Sequence, residues 1–582
     1  MAFFSALAAA MATALINVGL SAALATIAAN LIVGIGMQLI SSALFRPKQP
    51  SAPSTKYQAV INQAAAERVQ AVGWVKLGGP RAFWDQRDGK LYQVILLHTG
   101  RIASIERIWV GDKPVKVDDR GNVTTEPFAG YIQVSTRLGY AEANAYEAMV
   151  QAFPIKWSPE HRLRGIATAF VRFQSPPIED LQKVFPEGYN TAVTFEVKAS
   201  EVYDPRSEKV EWNDNAALCM GYYLTSREGF QGISRDDVDW ESVGRFANVC
   251  GQLVDLNTGG TERRYRCWGA WSLEDEGKAV LERMAKTCDA ELYLTQEGRI
   301  GIRGGEWTNP TVVIDQSMII AYSDLVEGSD RLVAFNEVRV TYVDPKQDYQ
   351  ITEADPWIDE VDQARRGRIV ADYDTDMSPS PSQARRLAKI HTHKSNPKWA
   401  GTITTNLLGL DAVGERIITV RIPELEIDMP FLIDGWGLNI EQGKPTGATF
   451  QIRSITPNAY SWDPATEEGT EAADVEEDDK KEKEQKPDKL PVPVATGTIT
   501  FNSQGRVIVP FSPPDGRPDL RLNGQIRQGV GNPWLDMSRD GYRLVSPPVP
   551  GGQAYVIRAR WQDAGSSAGA WIDPYISYTT PG

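Results

Sequence analysis

The chain has 582 residues, 42% apolar and 23% charged, a composition that builds several packed cores rather than a disordered polymer. At roughly 150 residues per domain it holds about four domains. Its 61 basic and 75 acidic residues leave a formal charge of −14, which excludes a basic nucleic-acid module; composition also excludes a collagen and a small disulfide scaffold.

From Ala2 to Phe45 there is no charged residue, and Arg46 and Lys48 follow. As one helix the stretch would run about 66 Å, twice a bilayer's hydrocarbon core. Two shorter helices broken near Asn30 or Gly34-Ile35-Gly36 are the alternative. A secretory signal would need a basic start and a shorter apolar run. Small residues four apart (Ala8/Ala12, Gly19/Ala23, Ala25/Ala29) suit close helix–helix approach, so the helix marked by Phe3, Gly19, Gly34, Gly36 and Phe45 is expected to be membrane-active or buried in an oligomer. A membrane anchor would hold the remainder in the cytoplasm, because the basic residues come afterwards. A segment sequestered first and inserted into a target membrane later fits the same residues.

Residues 46–56 read as a Pro/Ser linker, and Tyr57–Gln70 has helical periodicity. Strands are expected at Trp74–Leu77, Arg81–Asp85, Leu91–Thr99 and Ile102–Val110, with turns at Gly78-Gly79-Pro80 and Asp88-Gly89. Alternation marks further strands at Ala167–Phe173 and Ala192–Lys198. Helices fit Asn215–Thr225, Asp239–Cys250 and Leu273–Cys288, the last with Ser272 as N-cap. Strands resume at Glu291–Thr295, Ile300–Arg303, Asn336–Tyr342, Thr402–Asn406, Arg416–Arg421 and Thr449–Ser454, with a helix over Ser382–His391. Between Glu467 and Lys489 lie eleven acids and five lysines, a net of −6 that predicts a mobile tether. From Pro491 on, alternating strands and Pro/Gly-rich turns predict a small β-sandwich of the fibronectin type III kind, with Phe511 where that family usually has a buried Trp. The fold class expected is mainly β with α+β insertions.

Residues that could carry chemistry are few. Cys219, Cys250, Cys267 and Cys288 lie 31, 17 and 21 residues apart with no CxxC pair, so they read as buried small hydrophobes of a chain folded in a reducing cytoplasm. His391 and His393 could point one way from a strand, but no further Cys or His completes a metal site, and a surface pair is expected. No phosphate loop, dinucleotide fingerprint, HExxH or GxSxG motif occurs. The acidic run Asp236–Glu241 reads as helix N-terminal charge rather than a calcium loop, and Glu353–Asp362 around Trp357 as a solvated loop rather than a glycosidase acid pair. No catalytic residue, cofactor or metal is expected.

One series of motifs stands out. Val202-Tyr203-Asp204-Pro205-Arg206, Trp212-Asn213-Asp214-Asn215-Ala216-Ala217-Leu218 and Tyr223-Leu224-Thr225 are followed by Asp239-Trp240, Ala247-Asn248-Val249-Cys250 and Arg266-Cys267-Trp268-Gly269. Trp157 and His161–Ala167 precede them; Asn336-Glu337-Val338, Tyr342, Asp344-Pro345, Ser382-Gln383-Ala384 and Tyr460–Pro464 come after. In this order they resemble the central tail hub, or tip-attachment (host-specificity), proteins of long-tailed phages, over roughly residues 70–465. Tyr203, Asp204, Pro205, Arg206, Trp212, Asn215, Leu218, Asn248 and Cys250 are its structural signature: Pro205 ends a strand in a turn and Asn215 offers a cap to the next helix.

The resemblance implies a non-enzymatic homotrimer at the distal tip of a virion's tail, made in the host cytoplasm. Tube-like β-barrel hub domains at 71–200 and 331–465 would flank an α+β insertion at 201–330. Segment 1–45 would be a lumenal plug or membrane-inserting helix, 46–70 a linker and helix, 466–490 the tether and 491–582 the fibronectin-like domain. Implied partners are the distal tail protein, the tape-measure protein, other tail-tip proteins and a host envelope receptor, reached directly or through a separate fibre. A mildly acidic lumen would let genome DNA pass without binding. The chain ends after one fibronectin-like domain, unlike longer relatives, which favours a docking arm over direct receptor contact. The alternatives are a membrane-anchored envelope protein or adhesin, and an envelope-degrading enzyme of the tail tip.

Overall fold

In the computed structural model, the described residues are 60–61, 67–226, 233–295, 297–328, 334–441, 444–469, 492–513, 520–529, 532–562, 571–572 and 575–582. The apolar helix marked by Phe3, Gly19, Gly34, Gly36 and Phe45 lies outside them, as do the 46–56 linker and most of the acidic tether. The chain divides into two units, 1–473 and 474–582.

In the first unit, Gly79–Arg87, Lys90–Thr99, Ile166–Gln174 and Ile132–Leu138 form one sheet, with Val60–Ile61 parallel to its edge. A second sheet holds Lys209–Trp212, Val193–Asp204, Ile102–Val110, Lys113–Val115 and Trp74–Leu77. Leu91, Ile95, Val171 and Phe173 of one meet Ile102, Phe195 and Val197 of the other in a shared core. Lys90–Thr99 is apolar almost throughout because its second face is covered too: Tyr92 and Val94 pack against Met149, Phe153 and Trp157. Bulges at Arg81/Phe83, Leu96/His98 and Glu196/Val197 bend these strands. The helix expected over Tyr57–Gln70 is not what forms at its described ends. Val60–Ile61 is a strand, and Val69–Val72 pairs antiparallel with Gly269–Ser272, a distant partner whose ladder outweighs local helical periodicity.

Among the described residues four helices of ten or more residues follow: α1 (Ala216–Thr225), α2 (Trp240–Gly251), α3 (Gly277–Lys286) and α4 (Pro381–Ser395). The first three pack with the hairpin Ala290–Leu294/Ile300–Gly304 around one core. All four cysteines are free and buried in it. Helix α3 starts four residues later than its sequence suggests. Ser272 is the last residue of a strand, and its hydroxyl accepts from Glu274 N (3.1 Å) in a turn before the helix instead of capping it.

A six-stranded sheet runs in the order Val313–Asp315, Ile417–Ile422, Ile427–Glu441, Lys444–Ser454, Trp399–Thr405, Ile319–Glu327. Beside it, Glu337–Asp344 pairs with Gln350–Ile358 and Val370–Asp374. Helix α4 lies against these, starting at the Ser380 cap, whose hydroxyl accepts from Gln383 N. The stretch Glu353–Asp362 is therefore a strand end and a helix start rather than a loop, because Trp357 sits opposite Val338 and Asp359 caps Glu360–Arg366. His391 and His393 fall on helix α4, not on a strand or the open surface: the His391 ring is stacked on Tyr373 (4.2 Å) and Phe335 (5.5 Å).

The second unit is all-β: Thr500–Phe501, Val507–Pro510, Arg543–Val545, Leu535–Asp540, Arg521–Gln528, Ala554–Gln562 and Ile576–Thr579, in spatial order. Strict alternation buries Leu522, Ile526, Tyr555, Ile557, Ala559 and Trp561 with Phe511 in a core of its own.

Candidate functional site

The signature residues converge on one junction. Strand Val193–Asp204 turns through Pro205 into Lys209–Trp212, with Asp204 opposite Lys209. The Asp204 carboxylate accepts from Arg206 N (2.9 Å), Nε (2.8 Å) and Nη2 (2.6 Å), and these bonds hold it below the usual carboxylate range. Arg206 Nη1 also donates to Asn248 Oδ1 (3.0 Å), tying the turn to α2. Trp212 Nε1 donates to Gly73 O (3.1 Å).

Asn215 does two jobs. Its Oδ1 accepts from Ala217 N (3.1 Å), capping α1, and its Nδ2 donates to Ala247 O (2.9 Å) on α2. Leu218 and Cys250 are fully buried between the helices. Asp214 accepts from Trp268 Nε1 (2.9 Å) and Arg263 Nη1 (3.2 Å). At Gly221 α1 passes close to α2: a Cβ there would stand 3.0 Å from the Trp240 ring. The signature side chains thus bind strand, turn and helices into a scaffold, with Tyr203 half-buried at its rim.

Tyr203 meets Trp240 edge to face at 5.0 Å, and Arg235 stacks on Tyr203 at 4.0 Å. With Pro205, Arg206, Glu241 and Gly244 these aromatics line a shallow open cleft of about 400 Å³. Arg235 gave no signal in the sequence, since it reaches the ring from a short 3₁₀ turn.

Downstream motifs lock onto the same body. Gln383 Nε2 donates to Arg266 O (2.8 Å) and Thr287 O (2.9 Å), and its Oε1 accepts from Arg266 N (3.0 Å). Asp289 accepts from Lys394 (2.6 Å), Arg416 (3.2 Å) and Tyr460 (3.1 Å), and Arg416 also pairs with Glu291 (2.9 Å). These cations hold Asp289 and Glu291 low despite burial. Each is an ordinary charge in the sequence; only the fold makes them one network.

The six-stranded sheet leaves another surface open. Among the described residues Ile319–Glu327 pairs on one side only, and it exposes Ile320, Tyr322 and Val326. Leu438 and Ile440 of the neighbouring hairpin and Leu407 and Leu408 are exposed as well. Among the described residues no three His, Cys, Asp or Glu side chains converge as a metal site, and no helix is long and apolar enough to cross a membrane.

No protein-family profile and no curated protein matches the chain. Among solved structures it is similar to a chain in the virion of a native gene transfer agent particle, at 13% identity and TM-score 0.48 over 74% of this chain and 94% of that one. It is also similar to a tail protein from Neisseria meningitidis (11% identity, TM-score 0.26, 68% of this chain and 99% of that one). A 43 kDa tail protein of prophage MuSo2 from Shewanella oneidensis gives 13% identity and TM-score 0.25, over 68% of this chain and 100% of that one.

Proposed function

We propose that this chain is a structural protein of a virion: the homotrimeric central hub that closes the distal end of a long-tailed phage's tail tube. The observation that carries the reading is the ordered series of motifs from Val202 to Pro464, the signature of the hub resemblance. Its residues serve packing and capping, as expected of a part whose business is shape. In this reading residues 71–200 and 331–465 are the tube-like domains and 201–330 the insertion. Residues 491–582 are a fibronectin type III-like docking arm for a fibre or receptor.

The open edge Ile319–Glu327 supports assembly. A nine-residue edge strand without Lys or Pro, carrying three exposed large apolar residues, is a liability in a lone subunit and an asset in a ring. The distal tail and tape-measure proteins would be its neighbours, and the uncharged segment 2–45 would leave the closed tip at ejection to help carry DNA through the envelope.

Negative-stain images of the purified full chain should show a threefold particle, and a carboxy-terminal label on intact virions should sit at the distal tail end. Phage lacking residues 2–45 should adsorb without ejecting. A detergent-bound monomer would instead favour the membrane-anchored envelope protein that the uncharged amino terminus also suits; normal infection by the deletion would remove segment 2–45 from the mechanism.

A further inference from the structure

The folded part of the second unit departs from the acidic balance of the whole chain. Residues 491–582 hold eight arginines and six aspartates, no lysine and no glutamate, a net of +2 in a chain of −14. Arg521–Gln528 and Ala554–Gln562 pair with Gln525 opposite Arg558 and Asn523 opposite Arg560. Alternation therefore puts Arg527, Arg558 and Arg560 on the sheet face turned away from Leu522, Ile526, Ile557, Ala559 and Trp561.

On that face guanidinium and indole groups alternate. Arg527 lies 4.4 Å from the Trp534 ring centre and Arg558 4.2 Å from the same ring. Arg558 and Arg560 each lie 4.3 Å from Trp571. Tyr575, 41% exposed, meets Trp534 edge to face at 5.6 Å.

The three arginines are not equally occupied. Arg558 Nε donates to Gln525 Oε1 (2.9 Å), and Gln525 Nε2 donates in turn to Asp536 (2.8 Å). Arg527 and Arg560 make no ion pair among the described residues, and the buried Nε of each has no acceptor. A guanidinium stacked on an indole keeps its in-plane N–H groups for an oxyanion, in the fork that fits carboxylate or phosphate.

We propose that this ladder binds an acidic polysaccharide. Sugar rings stack on the aromatic side chains, and carboxylate or phosphate substituents accept hydrogen bonds from Arg527 and Arg560. Charge complementarity singles out this occupant: a net-basic part of an acidic chain concentrates, between aromatic platforms, two arginines that have no ion pair among the described residues. The inference stands on the second unit alone and does not depend on the hub reading.

Calorimetric titration of the full chain with polygalacturonate, phosphorylated dextran and neutral dextran, at about 0.15 M salt, tests it. An acidic polymer should bind about tenfold or more tightly than neutral dextran, the carboxylate and phosphate probes separating the two sources of charge. Arg527→Gln with Arg560→Gln should weaken that binding about tenfold or more, and the lysine pair R527K/R560K should weaken it similarly, since lysine keeps charge but loses the stacked fork. Arg506→Gln with Arg543→Gln removes the same charge elsewhere in the unit and should leave affinity within about twofold. Three results would overturn the proposal: neither acidic polymer binds, the lysine pair binds as wild type, or both glutamine pairs weaken binding equally. Far-UV circular dichroism and the thermal midpoint check the fold; where the glutamine pair fails them, the lysine pair decides.

Discussion

Asn215 shows how much one polar side chain can organise. Its oxygen stops the fraying of α1 and its amide nitrogen holds a carbonyl of α2, so truncation removes a cap and leaves a buried acceptor bare. Asn215→Ala is expected to destabilise the first unit by about 2 kcal/mol in urea denaturation. Asn215→Asp, which retains the cap but not the donor, should fall between the two. An alanine variant as stable as wild type would mean that the helices are positioned without it. The cap itself was legible in Trp212-Asn213-Asp214-Asn215; the bond to Ala247 was not, because nothing local relates a residue to one 32 positions on.

At the level of elements, Ile319–Glu327 combines an edge that is paired on one side only among the described residues with three exposed large apolar side chains. Tyr322→Lys with Val326→Lys places two charges on that face without touching the core. If the proposed trimer forms, light scattering should show it for wild type and a monomer for this variant, while the stability of the subunit changes by no more than the few tenths of a kcal/mol typical of surface changes. Persistence of the trimer would remove this strand from the interface. The strand was missed in the sequence because its apolar residues interleave with Ser323, Asp324 and Glu327, and its pairing to Trp399–Thr405 spans some eighty residues. The α3 start failed for a related reason: Ser272 looks like a cap locally, but the ladder with Val69 claims it first.

Across the whole molecule, acid should loosen the first unit before it reaches the carboxylates. Burial pushes His98 down to about 4 and His391 down to about 3, and lowers His393 as well. Lys286, Lys394 and Arg453 push His391 further down, while Asp289 opposes them. The unfolded chain takes up protons near 6.5 while the native chain refuses them. Stability is therefore complete above that value and falls as pH drops toward 4, by as much as about 2 kcal/mol for His98 at pH 5. Denaturation midpoints between pH 7.5 and 5 should decline, and His391→Phe, which keeps the stack between Tyr373 and Phe335, should flatten the decline. Equal slopes in both proteins would assign the acid sensitivity elsewhere.

What the amino acids settled unaided was whatever depends on near neighbours. The strands at Ala167–Phe173 and Ala192–Lys198, the helices around Leu218 and Cys250, the turn at Asp204-Pro205 and the burial of the four cysteines all follow from spacing and side-chain type. Tertiary structure alone decided what depends on distant encounters. It turned Val69–Val72 into a strand, gathered Asp289, Glu291, Lys394, Arg416 and Tyr460 into one network, set His391 between two rings and stacked Arg527, Arg558 and Arg560 on Trp534 and Trp571. The physical reason is that a ladder, an ion pair or a ring stack draws its energy from a partner, and folding, not sequence adjacency, supplies that partner.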